Sequence, residues 1–270
     1  MNRIQVIIIK SKNIDFYYFS GTGNTFLVVN KMKEVFKGKD YSVELKPIEK
    51  NDPSKVNTKN TIGLAFPVAI FSTYNLVWDF IRNLPEANGT EIFMVDTLAG
   101  YSGGIVGPLR TIVEKKGYKP IGACEIIMPG NIFFIANDKE NDKKVRKGLK
   151  SAKKYAKSLI KGKAKWGKVS VIPDIVNAFS RGGLWLTGVS LHQKYLKFKV
   201  KESKCSKCGL CADLCPVSNI KIEEYPVTGN KCQYCMRCVS FCPKKAIKCI
   251  FNYKGKTYSA VKARKLLKDH

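Results

Sequence analysis

Residues 14–25 read IDFYYFSGTGNT, and FLVVNKMKEVF follows over residues 26–36. An apolar, aromatic run of strand character passes through a turn of Ser, Gly, Thr and Asn into a helix-like stretch. A strand–turn–helix junction of this kind is an anion site, because backbone N–H groups and the positive end of the helix point into the turn. Gly21 and Gly23 let the backbone approach the anion closely. Ser20, Thr22, Asn24 and Thr25 add donors without adding charge. The turn lacks the GK[ST] ending of a nucleoside-triphosphate loop. It also lacks the GxGxxG spacing of a dinucleotide fingerprint.

Outward from this junction, strand and helix patterns alternate, as a doubly wound sheet requires. Strands are expected at 41–47, 61–66, 91–96 and 121–128, and helices at 75–84, 105–116 and 142–160. Gly117 and Gly162 are placed to cap the last two helices. In the last helix, Val145, Leu149, Ala152, Ala156 and Leu159 share one face, and lysines crowd the other.

The turn SGTGNT resembles the phosphate loop of flavodoxins, and the resemblance covers about residues 14–165. It implies α/β architecture: a flavodoxin-like, doubly wound, parallel five-stranded sheet, with FMN at the switch point between its first and third strands. Ser20, Gly21, Thr22, Gly23, Asn24 and Thr25 would then hold the FMN phosphate. The loops after the third and fourth strands, PVAIFSTY at 67–74 and TLAGYSGG at 97–104, would flank the flavin ring. The residues implied there are Pro67, Val68, Phe71, Thr97, Leu98, Ala99, Gly100, Tyr101 and Gly103. Tyr101 is the expected stacking residue, with Phe71 or Tyr74 opposite. The turn PGN at 129–131 is expected at the edge of the site.

A second signal lies at residues 205–216, CSKCGLCADLCP, and 232–243, CQYCMRCVSFCP. Each run has three cysteines two residues apart, a fourth after three more residues, and then proline. Zinc sites close at four ligands and do not need the surplus third cysteine of each run. A disulfide framework requires an oxidising compartment, and no export signal is evident. The spacing is that of cubane iron–sulfur ligation. The segment 200–253 resembles bacterial-type 2[4Fe–4S] ferredoxins, small α+β domains. That resemblance implies crossed ligation, the last cysteine of each run serving the other cube. Cys205, Cys208, Cys211 and Cys242 would hold one cluster, and Cys232, Cys235, Cys238 and Cys215 the other. Pro216 and Pro243 would turn the chain back onto the cubes, and Ile220 and Ile247 would cover them.

The organisation expected is therefore an N-terminal extension (1–13, an edge strand or a leader), a flavodoxin-like FMN domain (14–165), a docking linker (166–199), a ferredoxin domain (200–253) and a basic tail (254–270) that frays in part. Trp185 and Phe198 in or beside the linker are candidates to lie between the cofactors, and His192 is assigned no ligand role. Cys124 and Cys249 are expected as buried thiols. The 48 Lys and Arg against 21 Asp and Glu give a formal charge of +27. This points to an acidic redox protein as partner. No nucleic-acid reader motif accompanies it, so nucleic acid is not expected. No apolar run approaches the length of a spanning helix; the basic helix at 142–160 leaves peripheral membrane contact open. Reduced thiolates fit a cytoplasmic setting.

The whole chain resembles the flavodoxin–ferredoxin fusion proteins of anaerobes. The resemblance implies an electron carrier, relaying electrons between FMN and two 4Fe–4S clusters to or from a redox partner, with no catalytic residue. The alternative is a flavin-dependent reductase of a quinone or nitro compound fed by the clusters, for which Asp96 and Tyr101 are the nearest acid–base groups.

Overall fold

Five strands pair side by side in the computed structural model, which describes residues 9–69, 72–100, 104–133, 135–167, 198–252 and 255–268. They are β1 (Asn13–Tyr18), β2 (Ser42–Pro47), β3 (Thr61–Pro67), β4 (Glu91–Leu98) and β5 (Lys119–Ile127). All pairings are parallel, in the order β2-β1-β3-β4-β5. This is the flavodoxin-like strand order, with its switch point between β1 and β3. β3 and β4 are buried on both faces because helices cover both sides of a parallel sheet.

One face packs on α1 (Asn24–Lys37) and α4 (Asp138–Ile160), through Phe16, Val29, Met32, Phe36, Phe93, Ala152 and Leu159. The other packs on α2 (Asn75–Arg82) and α3 (Val106–Lys115), through Tyr17, Leu64, Trp78, Ile81, Met94 and Leu109. Gly63 lies between Phe16 and Phe93 on neighbouring strands. A Cβ there would stand 2.6 Å from Phe16 and 2.7 Å from Phe93, so only glycine lets the two rings meet, at 5.1 Å between centroids.

Several boundaries differ from expectation. α4 starts one turn earlier than residue 142, because Asn137 caps it by accepting from the Glu140 N–H at 2.9 Å. Its first turn is polar throughout and carries no apolar period. β4 runs two residues past Asp96, so Thr97 and Leu98 are strand residues and not loop. Trp166, read as linker, is core: its indole N–H donates to the Val106 carbonyl at 3.0 Å. Gly162 and Gly117 close their helices with φ of 63° and 79°, as expected.

The C-terminal part is built of short pieces: β6 (Lys199–Val200), α5 (Leu210–Asp213), β7 (Ile220–Ile222), β8 (Pro226–Thr228), α6 (Arg237–Ser240) and β9 (Ile247–Lys248). β6 pairs antiparallel with β9, and β7 with β8. Their small core is Phe198, Ile220, Met236, Cys238, Val239 and Ile247. Leu214 and Phe241 do not join it; they are buried in the same cluster as α1 and α4.

The tail, expected to fray in part, forms α7 (Ala263–Lys268), with Leu266 2% exposed in the α1 cluster. At the other end, Ile9 is buried in the core and the Lys10 N–H donates to Glu91. Residues 1–8, and most of the linker with Trp185 and His192, lie outside the described residues. Among the described residues no helix is long and apolar enough to cross a membrane.

Candidate functional site: an anion loop against paired cysteine cavities

β1 delivers the chain into the turn, where Gly23 takes φ 103° immediately before the first residue of α1. Among the described residues no acceptor meets the backbone N–H groups of Gly21, Thr22, Gly23, Asn24 and Thr25. The loop carbonyls and side chains, by contrast, are engaged. Ser20 Oγ accepts from the Phe26 N–H, and Thr25 Oγ1 bonds Thr97 Oγ1 at 2.8 Å. Asn24 Nδ2 donates to the Pro129 carbonyl, and Asn131 Nδ2 donates to Thr22 Oγ1 at 3.2 Å. The turn at 129–131 therefore does edge the loop. A row of free amides at the start of a 14-residue helix, with hydroxyls and no cation, suits an anion.

The flanking loops are less uniform. Val68 N–H donates to the Thr97 carbonyl, tying Pro67 and Val68 to the end of β4. Thr97 and Leu98 are buried, while Ala99 and Gly100 are exposed, with open space where a Gly100 Cβ would point. Phe71, Tyr101 and Gly103 lie outside the described residues. Tyr74 is not at an open face. Its ring packs edge-on to Phe19 at 5.2 Å between centroids, and its hydroxyl lies 3.9 Å from the Cβ position of Gly21. Burial, with Cys235 close by, pushes its phenol well above the usual range.

The eight cysteines of the two runs line two separate cavities. One is lined by Cys205, Cys208, Cys211 and Cys242, with Pro243 and Ile247. The other is lined by Cys215, Cys232, Cys235 and Cys238, with Pro216 and Ile220. The grouping is the crossed one. Among the described residues no set of His, Cys, Asp or Glu side chains converges on a single ion; the thiols ring cavities, as corners of a cube would. The two runs repeat each other in backbone as well as spacing. Lys207 and Tyr234 have φ of 54° and 52°, and Gly209 and Met236 have 75° and 64°. The N–H of Asn219 donates to Cys215 Sγ and that of Ala246 to Cys242 Sγ, each at 3.2 Å.

The cavities differ in surroundings. Cys208 is exposed, whereas Cys235 and Cys238 are buried. Burial pushes the Cys238 and Cys235 thiols up and that of Cys232 up to about 12; Arg237 partly offsets the rise at Cys235. Thiolates here therefore need a cationic centre, and loading one releases protons. Cys124 and Cys249 are half-buried. Phe198 lines the inner cavity beside Cys215.

Sequence reading missed the residues that join the two parts. Arg237, between Cys235 and Cys238, is 2% exposed. Its Nε and Nη2 donate to the Ser20 carbonyl at 3.0 and 2.9 Å, and Nη1 donates to the Leu214 carbonyl at 3.3 Å. It pairs with buried Glu49 and lies 4.9 Å over the Phe19 ring. A Cβ on Gly21 would stand 2.6 Å from the Cys235 carbonyl oxygen. From the tail, the Ala260 N–H donates to the Thr22 carbonyl at 2.7 Å and the Tyr258 hydroxyl to Asn24 Oδ1 at 3.0 Å. The one available signal was an asymmetry: Arg237 stands where the first run has Leu210.

The strand order and the doubled cysteine cavities define a flavodoxin-like α/β unit followed by a two-cluster iron–sulfur unit. Residues 198–221 and 225–248 each match the family model of a 4Fe–4S binding domain, so this part carries two 4Fe–4S clusters. No curated protein matches the chain. Among solved structures, the chain is similar to a flavodoxin of Streptococcus pneumoniae TIGR4, with 14% identity over 54% of this chain and 97% of that one, at a TM-score of 0.42. It is also similar to two-electron reduced Megasphaera elsdenii flavodoxin, with 23% identity over 52% and 98%, at 0.39. Oxidised flavodoxin 2 from Bacillus cereus aligns with 17% identity over 52% and 94%, at 0.41.

Proposed function

We propose that the chain is an electron-transfer protein that relays electrons between FMN, held on the loop Ser20–Thr25, and the two 4Fe–4S clusters. The observation that carries this reading is the contact of the inner cysteine cavity with the anion loop: Gly21 against the Cys235 carbonyl, and Arg237 on Ser20. A phosphate fits the donor set of the loop, five amides with no acceptor among the described residues and the hydroxyls of Thr22 and Thr25. Bound FMN exchanges one or two electrons and each cube one, so the chain joins two-electron to one-electron chemistry.

The residues divide the work. Cys215, Cys232, Cys235 and Cys238 hold the inner cube against the flavin loop. Cys205, Cys208, Cys211 and Cys242 hold the outer cube at the surface, where Cys208 is exposed. Lys199, Lys201, Lys204, Lys207, Lys244, Lys245 and Lys248, all exposed, belong to that same outer part. Their charge suits an acidic redox partner docking there. With these groups bound, electrons would pass between partner and flavin through the outer and inner cubes in turn.

The test is anaerobic purification followed by rapid-mixing kinetics. We expect about eight iron and eight sulfides per chain, one FMN, and a flavin–cluster transfer rate independent of protein concentration. Bound zinc without iron after reconstitution, absence of FMN binding, or a rate that scales with concentration would each defeat the proposal.

A further inference from the structure

The anion loop belongs to the N-terminal sheet, yet its outward groups are held from the C-terminal part. Arg237 grips the Ser20 carbonyl with two donors, and the Ala260 N–H grips the Thr22 carbonyl. A trans peptide is planar, so the C=O of one residue and the N–H of the next point in opposite directions. Holding Ser20 O therefore aims the Gly21 N–H, and holding Thr22 O aims the Gly23 N–H. Both following residues are glycines, whose backbones are otherwise the freest to turn. Tyr258 adds a third grip by donating to Asn24 Oδ1. Val261 fills the space beside Gly23, 2.7 Å from its Cβ position.

From this geometry we infer that the iron–sulfur half and the tail build the phosphate site: Arg237, Tyr258 and Ala260 are positioning residues that aim the loop amides, and flavin binding is thereby coupled to the inner cluster. The inference rests on the FMN reading above. Arg237 lies in the short turn between Cys235 and Cys238, so the conformation of that turn, and with it the grip on Ser20, depends on the inner cube. Coupling between two ligands is reciprocal: whatever loss of FMN affinity follows iron removal must equal the loss of cluster stability on flavin removal.

The experiment titrates FMN and riboflavin, anaerobically, into full-length, flavin-stripped protein with its clusters in place. Riboflavin lacks the phosphate and reports on the ring and ribityl chain alone. The double variant Arg237→Met/Glu49→Leu removes the grip without stranding a buried charge. Ala260→Pro removes the tail N–H without changing a cluster ligand or Arg237. We expect FMN to bind about tenfold more weakly to the double variant, and more weakly to Ala260→Pro by a smaller factor, with riboflavin affinity unchanged in both. Arg237→Lys should restore part of the loss. Unchanged FMN affinity in the double variant, or equal losses for FMN and riboflavin, overturns the inference. If the double variant loses iron, Ala260→Pro and Tyr258→Phe decide, and unchanged FMN affinity in both overturns it. Failure of the wild-type protein to bind FMN defeats the functional reading instead, and that arm is read before any variant.

Discussion

The two cysteine runs share spacing, left-handed turn residues and backbone-to-sulfur hydrogen bonds, yet they meet different surroundings. The run beginning at Cys205 faces outward, with Cys208 exposed and Lys207 paired to Glu224 on the β7–β8 connection. The run beginning at Cys232 faces the sheet, with Cys235 and Cys238 buried and Arg237 in contact with Ser20, Glu49 and Phe19. One duplicated motif thus supplies two environments. Solvent exposure, net charge and hydrogen bonds to sulfur set cluster potentials, so two cubes with the same ligand spacing need not be equivalent carriers. The outer site is open to solvent and the inner one lies against the anion loop.

Removing one ligand from each site gives the largest contrast. Cys208→Ser and Cys235→Ser should each lower iron from about eight to about four per chain. Both should slow electron transfer between an external one-electron donor and the flavin. Cys208→Ser leaves FMN affinity unchanged, whereas Cys235→Ser weakens it, because only the inner turn touches the anion loop. Iron analysis and flavin titration on the same preparations check this; equal FMN affinities in the two variants would erase the proposed difference between the sites.

Neutralising the outer face tests the other half of the comparison. Changing Lys204, Lys207, Lys244 and Lys245 together to Gln should slow reduction or oxidation by an acidic carrier about tenfold at low salt. The salt dependence should flatten, while the intramolecular rate stays as in wild type. A rate that is insensitive to these four lysines would place the partner elsewhere, α4 with its exposed lysines being the next surface to test.

A comparable effect is expected inside the loop itself. Thr22→Val with Thr25→Val removes two hydroxyls, one of which also bonds Thr97. FMN binding should weaken by about 1–3 kcal/mol with iron content unchanged, as calorimetric titration would show. Unaltered affinity would remove these hydroxyls from the phosphate site.

The smallest effect lies away from both cubes and serves as a control on the sheet. Asp96 is 0% exposed, and neither carboxylate oxygen has a hydrogen-bond partner among the described residues. Burial first, and Glu125 second, hold its carboxyl well above the usual range. In the window between the unfolded and the raised folded value, the native state binds the proton more tightly than the unfolded state. Stability therefore falls as pH rises through that window. Asp96→Asn should flatten the decline, gaining more against wild type at neutral than at acid pH in denaturant titrations. Parallel pH profiles for the two proteins would show that Asp96 is not the group responsible.

How legible these features were follows from their physics. Strand–helix alternation and apolar periodicity are local, and they led to the five strands and their flanking helices. Where the signal was polar, as in the first turn of α4, the boundary was placed one turn late. The turn Ser20–Thr25 was readable because Gly, Ser, Thr and Asn in succession mark a turn between a strand and a helix. Tyr74 could not be placed from the sequence, since an aromatic residue after a strand looks the same whether it meets a ligand or another part of the chain. Its position beside Phe19 and Gly21 depends on residues far along the sequence.

By itself, then, the sequence determined the cubane spacing, the anion turn and the alternation of a doubly wound sheet, all of which are patterns over a few residues. The tertiary structure alone decided which cysteine run faces the sheet, that Arg237 holds Ser20 from 217 positions away, and that residues 258–261 of the tail lie on the loop. Such contacts leave no period in the chain, because each joins single residues brought together only when Leu214, Phe241 and Leu266 enter the core of the N-terminal sheet.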